Sequence, residues 1–536
     1  MSIRHPGHRW PSLILLGLCL GYAITTVIAL PHLFTLPILG LWLALAWGFR
    51  WGAPKQARAP DKVWPWSLFP LALWWLCIYV TNSYGRVDLS AILFHFQAGV
   101  TDHGGTGRIL YAIVHTLVGL LMLAAFTWLV RVDHRWRLLE KVLVMFLLAF
   151  NPLLFGITRQ GAAIVAEDDS WLDRRYVPPA IEKAPANPPN LILLYLESIE
   201  GTYADEARFG DVYDDLEALG QRGLVFHGVR QIENTGWTMG GMIASQCGAP
   251  LMPAGLMHDN QFEPLHHVVP GVNCLGDLLD SQGYRQMFMG GASLKFAGKG
   301  LFYQDHGFDR MLGREQLEKR LEDPEYVNSW GINDDSLLDM AVAEIRQLAR
   351  KPGPFAFVGL TLSGHPPYGY PAQSCYDRQG EFDGVNILYS VQCSAFLARR
   401  FIERLEAEGL LENTLVVVAS DHLSMKNSAW QRLIEGPREN TLMMFGNGLP
   451  QGVIQREAST VDTLPTLLEA MGFTIPSHRA GLGASLLSQA QTLVERHGLE
   501  GFNARLLAEN ALQQRLWKQA DDMPPPTTAQ NDTARD

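Results

Sequence analysis

Hydrophobic positions along this chain follow two regimes. Up to about residue 157 apolar residues run in long stretches; beyond residue 190 they form short runs separated by polar, periodic segments. A helix needs about 20 mostly apolar residues to cross a bilayer. Stretches at roughly 11–30, 33–49, 64–81, 109–130 and 138–157 meet that pattern, which predicts a bundle of about five transmembrane helices over 1–160. The first lacks an A-x-A-like cleavage site and is followed by further spans, so it does not read as a cleaved signal. Pro31 separates the first two and marks the turn of a helical hairpin. Residues 88–99 are apolar but too short to cross; a helix lying in the interface and a loop helix against the bundle fit equally well.

The second regime begins after a polar, proline-rich linker over 161–189, which contains Asp168, Asp169, Pro178, Pro179, Pro185, Pro188 and Pro189. NLILLYLES (190–198), PFAFVGLTL (354–362) and TLVVVASD (414–421) are continuous apolar runs, as expected of strands buried on both faces of a sheet; YRQMFMGG (284–291) is a weaker one. Helical patterns over 334–350 and 391–408 lie between them. Strands alternating with helices predict a doubly wound α/β domain over 190–500, with 501–536 as a frayed polar tail.

Charge and cysteines refine this division. A net charge of -11 excludes a protein that coats nucleic acid, which needs basic stripes to displace counterions. Arg4 and Arg9, then Arg50, Lys55, Arg58 and Lys62, then Arg131, Arg135 and Arg137 all fall on one side of a five-span bundle. That side is cytoplasmic by the positive-inside rule, so the α/β domain is expected beyond the inner membrane, in the periplasm. Of the 6 cysteines, Cys19 and Cys77 lie in apolar stretches. The short separations of the others suggest Cys247 with Cys274 and Cys375 with Cys393, although four cysteines allow three connectivities. Disulfides fit an oxidising compartment, in agreement with the orientation.

In open α/β sheets, ligands bind beyond the carboxyl ends of strands. One expected strand ends at Glu197 and another at Asp421-His422. Two carboxylates and an imidazole suit Mn²⁺, Zn²⁺ or Mg²⁺. Taken singly, Glu197 and Asp421 read as well as helix caps; their shared place at strand ends favours a joint site. In NTGWTMGGMIASQCGAPL (234–251), Thr235 precedes a small-residue helical pattern. It is an ordinary N-cap or, at a helix N-terminus that favours anions, a nucleophile.

Several stretches share one resemblance. LYLESIEGTY (194–203), NTGWTMGGMIASQCGAPL, GGASLKFAGKGLFYQDHGFD (290–309), SWGINDDSLLD (329–339), LTLSGHPP (360–367) and SDHLSMKNSAW (420–430) resemble the alkaline phosphatase/sulfatase superfamily. They match its membrane-bound branch of lipoteichoic acid synthases, phosphoethanolamine transferases and, best of these, periplasmic-glucan phosphoglycerol transferases. The resemblance implies a sulfatase-like domain in which Glu197, Thr235, Asp421 and His422 hold one divalent cation, Mn²⁺ first and Zn²⁺ or Mg²⁺ next. It makes Thr235 the nucleophile, gives His365 a contact to the phosphoryl group or leaving oxygen, and gives Lys299 and, less directly, Lys295 a contact to phosphate. LTLSGHPP keeps one histidine, His365, where those relatives have two, which bears on the acceptor. No cysteine opens a C-x-P-x-R motif, so a formylglycine sulfatase is not expected.

The function implied is transfer of glycerol phosphate from membrane phosphatidylglycerol to a periplasmic glucan or other envelope polysaccharide. The alternatives are a phosphoethanolamine transferase acting on glucan or lipid A and, in another class, a non-catalytic membrane sensor or scaffold. Retention of the whole ligand set weighs against the last.

Overall fold

A computed structural model describes residues 170–518 apart from 253–265, 379–385, 447 and 510, together with Leu73 and Cys77. The five expected spans (Leu73 and Cys77 aside), residues 88–99, the first part of the linker and everything beyond 518 lie outside the described residues. Among the described residues no helix is long and apolar enough to cross a membrane.

The run after Pro188-Pro189 forms β1 (Asn190–Leu196). Because strand side chains alternate, Leu191, Leu193 and Tyr195 enter one core while Ile192, Leu194 and Leu196 enter another. Both faces are therefore covered, which explains why the run is uninterrupted rather than alternating. The other strands are β2 (Leu224–Arg230), β3 (Arg285–Gly290), β4 (Arg310–Leu312), β5 (Phe355–Leu360), β6 (Thr414–Ser420), β7 (Leu442–Gly446) and β8 (Gly452–Ser459). Their order is β4-β3-β5-β1-β6-β7-β2-β8, with β1 between β5 and β6 near the centre.

The helices longer than a single turn among the described residues are α1 (Asp214–Gly220), α2 (Thr238–Cys247), α3 (Leu275–Asp280), α4 (Lys299–Asp305), α5 (Asp334–Ala349), α6 (Asn386–Ala407), α7 (Thr463–Ala470), α8 (Leu493–Ala508) and α9 (Ala511–Trp517). Leu216 of α1, Leu337 and Ile345 of α5, and Val391 and Leu405 of α6 cover one face. Met242 of α2, Leu278 of α3, Phe302 of α4, Leu467 of α7, Phe502 of α8 and Leu516 of α9 cover the other. The doubly wound architecture is present, and every strand expected from the sequence forms. Both expected disulfides are closed: Cys247 at the end of α2 joins Cys274, and Cys375 joins Cys393 on α6.

Three features depart from the expectations. The sheet is mixed, because β7 runs antiparallel to both neighbours, β6 and β2. The chain turns back after β6 through a loop with only one short helical turn, Trp430–Leu433, and no long crossover helix, which reverses the strand's direction. The tail does not fray at 501. Phe502, Leu506, Leu512, Leu516 and Trp517 are all buried, and Trp517 donates its indole N–H to the Met252 carbonyl oxygen at 2.9 Å. Those apolar positions, spread through a polar segment, close the core beneath α2 and α3. Finally, the linker from residue 170 onward lies along the domain. Leu172 is fully buried, and Val177 and Lys183 form bridges to Gly481 and Thr474.

Candidate metal centre and nucleophile

The parallel pairing of β1 with β6 aligns Leu196 with Ser420, so the next residues, Glu197 and Asp421, emerge side by side. His422 follows Asp421 directly. Ligand atoms of Glu197, Asp421 and His422 all lie within 4.8 Å of one another, and all three side chains are buried. His422 Nε2 is 3.4 Å from Glu197 Oε1 and 3.4 Å from Asp421 Oδ2.

The free atoms of the trio face inward because the others are committed. Asp421 Oδ1 accepts the backbone N–H groups of Ser198 at 2.8 Å and His422 at 2.9 Å. His422 Nδ1 donates to the Leu423 carbonyl oxygen at 2.7 Å, which places the other ring nitrogen toward the carboxylates. Asp421 Oδ2 and His422 Nε2 are buried without a hydrogen-bond partner. Two inward polar atoms left unsatisfied beside a second buried carboxylate cost free energy unless a charge-balancing group meets them, which a cation would do. The donor set of carboxylate oxygens and one imidazole nitrogen fits a divalent cation of intermediate hardness.

The ionisation of the trio reflects this crowding. Burial and the neighbouring Glu197 charge push Asp421 well above the usual carboxylate range. Burial would also raise Glu197, but contact with His422 and its charge outweigh that and hold it below the usual range. His422 is disfavoured as a cation by burial, yet the Asp421 and Glu197 carboxylates raise it above an ordinary histidine. Burial and the second carboxylate thus raise Asp421, the two carboxylates raise His422, and the imidazolium between them lowers Glu197.

Thr235 lies in the turn between β2 and α2. The N-cap of α2 is Trp237, so Thr235 sits two residues before it and is not the cap that the sequence suggested. Its hydroxyl donates to the Ile232 carbonyl oxygen at 2.8 Å and accepts the Ile232 N–H at 3.2 Å. Two contacts tie this turn to the trio. Thr238 Oγ1 donates to Glu197 Oε2 at 3.3 Å. A Cβ on Gly241 would come 1.7 Å from the Asp421 carbonyl oxygen and 3.4 Å from that of Thr235. Only glycine lets the first turn of α2 approach so closely.

The remaining expected residues divide. His365 is in the loop after β5, and this loop lies flat on β1's end: Glu197 N–H donates to Thr361 Oγ1 at 3.1 Å, and a Cβ on Gly364 would be 1.9 Å from the Glu197 carbonyl oxygen. Lys299 opens α4 and is 2% exposed, with Nζ 4.4 Å from the centre of the Phe296 ring. Lys295 is exposed, and its backbone N–H bonds Ser293 Oγ; that contact does not bring it to the trio.

Sequence reasoning missed the supports. Glu200 is fully buried, pairs with Arg438 (Nε to Oε1 2.9 Å) and accepts the Ser424 N–H at 2.7 Å. Asn427 ties the same loop to Tyr203. Thus the segment after β1 holds the loop after His422 in place. A second acid three residues beyond Glu197 was a usable signal; Arg438 carries no local pattern at all.

The Sulfatase family model matches residues 189–473, which includes every residue of the trio, the Thr235 turn and the His365 loop. Phosphoglycerol transferase I from Escherichia coli O127:H6 is 33% identical over 407 residues, covering 74% of this chain and 53% of that protein. The protein of the same name from Citrobacter koseri is 38% identical over 325 residues, covering 59% of this chain and 42% of that one. The chain thus spans about half the length of these curated relatives. A solved lipoteichoic acid synthase from Listeria monocytogenes superposes with a TM-score of 0.48 at 15% identity, covering 64% of this chain and 94% of that one. On the family match, which extends over more than half the sequence, the chain belongs to the sulfatase family.

Proposed function

We propose that this protein is a membrane-anchored, metal-dependent phosphoglycerol transferase that moves glycerol phosphate from phosphatidylglycerol to a periplasmic glucan. The observation that carries the reading is the meeting of Glu197, Asp421 and His422 beside the Thr235 turn. The identity to phosphoglycerol transferase I supports the choice of group transferred. The positive-inside pattern and the two closed disulfides support a catalytic domain outside the cytoplasm.

Glu197, Asp421 and His422 would hold the cation, with the Thr235 hydroxyl as a fourth donor; Mn²⁺ suits the set first and Zn²⁺ or Mg²⁺ next. When bound, such a cation makes the hydroxyl easier to deprotonate and offsets charge on the phosphoryl oxygens. In the first half-reaction Thr235 releases the Ile232 carbonyl, loses its proton to solvent and attacks phosphorus. The Oγ1–P bond forms as the bond to the diacylglycerol oxygen breaks, and His365 gives that oxygen a proton. In the second half-reaction His365 takes the proton of an acceptor hydroxyl, which attacks phosphorus. Thr235 then leaves and recovers a proton from solvent. Lys299 would be the cationic contact to the phosphate.

The test supplies the full-length protein in vesicles with headgroup-labelled phosphatidylglycerol or phosphatidylethanolamine. Trapped protein is digested and mapped by mass spectrometry. Glycerol phosphate on Thr235 is the expected result; ethanolamine phosphate there, or label on neither, would overturn the donor assignment.

A further inference from the structure

Residues 329–339 are one of the motif stretches, yet nothing in the chemistry above uses them. Their placement gives them a role. Gly331 bridges Ala292, and the Ile332 N–H donates to the Gly291 carbonyl oxygen at 3.0 Å, which fastens this segment to the end of β3. From that anchor two side chains reach the His365 loop. The Trp330 indole, 8% exposed, stacks on the His365 imidazole with centroids 3.9 Å apart and planes at 24°. The Phe296 ring meets Trp330 edge-on at 5.6 Å, while Asn328 Oδ1 accepts the backbone N–H of Trp330 at 2.8 Å. Four residues on, Asp334 is 1% exposed and accepts the Leu362 and Ser363 N–H groups at 2.7 and 2.8 Å.

We propose that Trp330 and Asp334 are positioning residues for the proton transfer by His365: the indole fixes the plane of the imidazole, and the carboxylate fixes the backbone that carries it. This rests on the transfer reading given above. His365 Nδ1 lies 3.0 Å from the Pro366 carbonyl oxygen, which can only accept, so Nδ1 carries a proton and exchange falls to Nε2. With one ring face on Trp330 and Nδ1 committed, rotation about the side chain is the remaining freedom, and the stack removes it. An aromatic face also attracts the ring in its protonated form, the form that donates. A buried carboxylate that meets two successive N–H groups gives the loop charge-assisted hydrogen bonds, stronger than neutral ones.

The step concerned is protonation of the leaving oxygen: Thr235 Oγ1–P forms, P–O breaks, and the Nε2 proton moves to the departing oxygen. A leaving group stable as an anion does not need that proton. The experiment therefore compares methyl 4-nitrophenyl phosphate with methyl phenyl phosphate on the full-length, metal-loaded protein. Trp330→Leu should lower phenol release by about 100-fold and nitrophenol release by less than about 10-fold, the span expected of a displaced general acid. Trp330→Phe, which retains an aromatic face, should recover most of the phenyl-ester rate. Asp334→Asn, which turns an amide N–H toward a backbone N–H, should show the same leaving-group selectivity. Equal losses on the two esters in folded variants, or no loss, would overturn the proposal, because a merely structural role would not distinguish leaving groups. Failure of the wild-type protein to cleave either ester would instead sink the transfer reading, and this inference with it.

Discussion

Replacing Gly241 with alanine adds one methyl group and removes no chemical function, yet it should disable the site. Alanine is favoured over glycine in a helix interior by about 1 kcal/mol, so local propensity alone would make the change stabilising. The surroundings oppose it. The new Cβ would stand 1.7 Å from the Asp421 carbonyl oxygen, half the 3.4 Å at which ordinary van der Waals contact begins. Neither side of the clash is a flexible side-chain end: Gly241 lies in the first turn of α2, and the Asp421 carbonyl belongs to the strand end bearing two of the proposed ligands. Overpacking of this kind costs about 1–3 kcal/mol, which cancels or exceeds the helical gain. The larger effect should be geometric. Separating the Thr235 turn from Asp421 by about 1 Å is expected to lower turnover about 100-fold, because aligned groups lose rate steeply with displacement. Gly283→Ala provides the control. Gly283 has φ +76 with nothing within 4 Å, so its variant should lose about 1–2 kcal/mol through backbone strain and keep its activity. Urea unfolding and aryl phosphodiester turnover on both variants separate the two effects. Turnover of Gly241→Ala within twofold of wild type would refute the close-approach argument.

The other expectations can be checked with the same preparations. Thr235→Ala should abolish transfer while losing only about 1 kcal/mol of stability, from the hydrogen bond to Ile232; wild-type-like transfer would end its role as nucleophile. His422→Ala should bind less metal by elemental analysis after dialysis, and chelated wild type should regain activity first with Mn²⁺; metal-free protein that transfers at the full rate would contradict this. Replacing Cys375 and Cys393 together by serine opens a loop of sequence separation 18 and should cost about 3 kcal/mol in denaturant unfolding. Because Cys375 lies ten residues past His365, turnover should fall as well; unchanged stability and turnover would show that the loop is held by other contacts.

Legibility in the sequence followed burial. β1, β5 and β6 could be read because both faces of each are covered, so every position had to be apolar. β8 could not. It is an edge strand with exposed Gln455 and Glu457 facing outward over part of its length, and its GVIQREAS pattern resembles a loop. β4 is only three residues long, too short for any periodicity to register. The folded part of the tail was missed for a related reason: α9 contributes Leu512, Leu516 and Trp517 to the core from a segment otherwise rich in polar residues.

The site shows the same division at finer scale. Glu197 and Asp421-His422 could be paired from the sequence because each ends an apolar run, and the topology of an α/β sheet sends such ends to one edge. The 224-residue gap between Glu197 and Asp421 is closed by the neighbouring register of β1 and β6, which no local pattern specifies. The residues that hold the geometry were invisible for a physical reason. Glu200 acts through Arg438 and Ser424, and Trp330 through a ring face; each works on a partner distant in sequence, and each is a type equally at home elsewhere. Glycines at 241 and 364 belong to the same group, since their value lies in what the facing strand places 1.7 and 1.9 Å from an absent Cβ. Candidate ligands are thus announced by the elements that end in them. The precision that makes them a site comes from contacts between loops, and only the folded chain displays those.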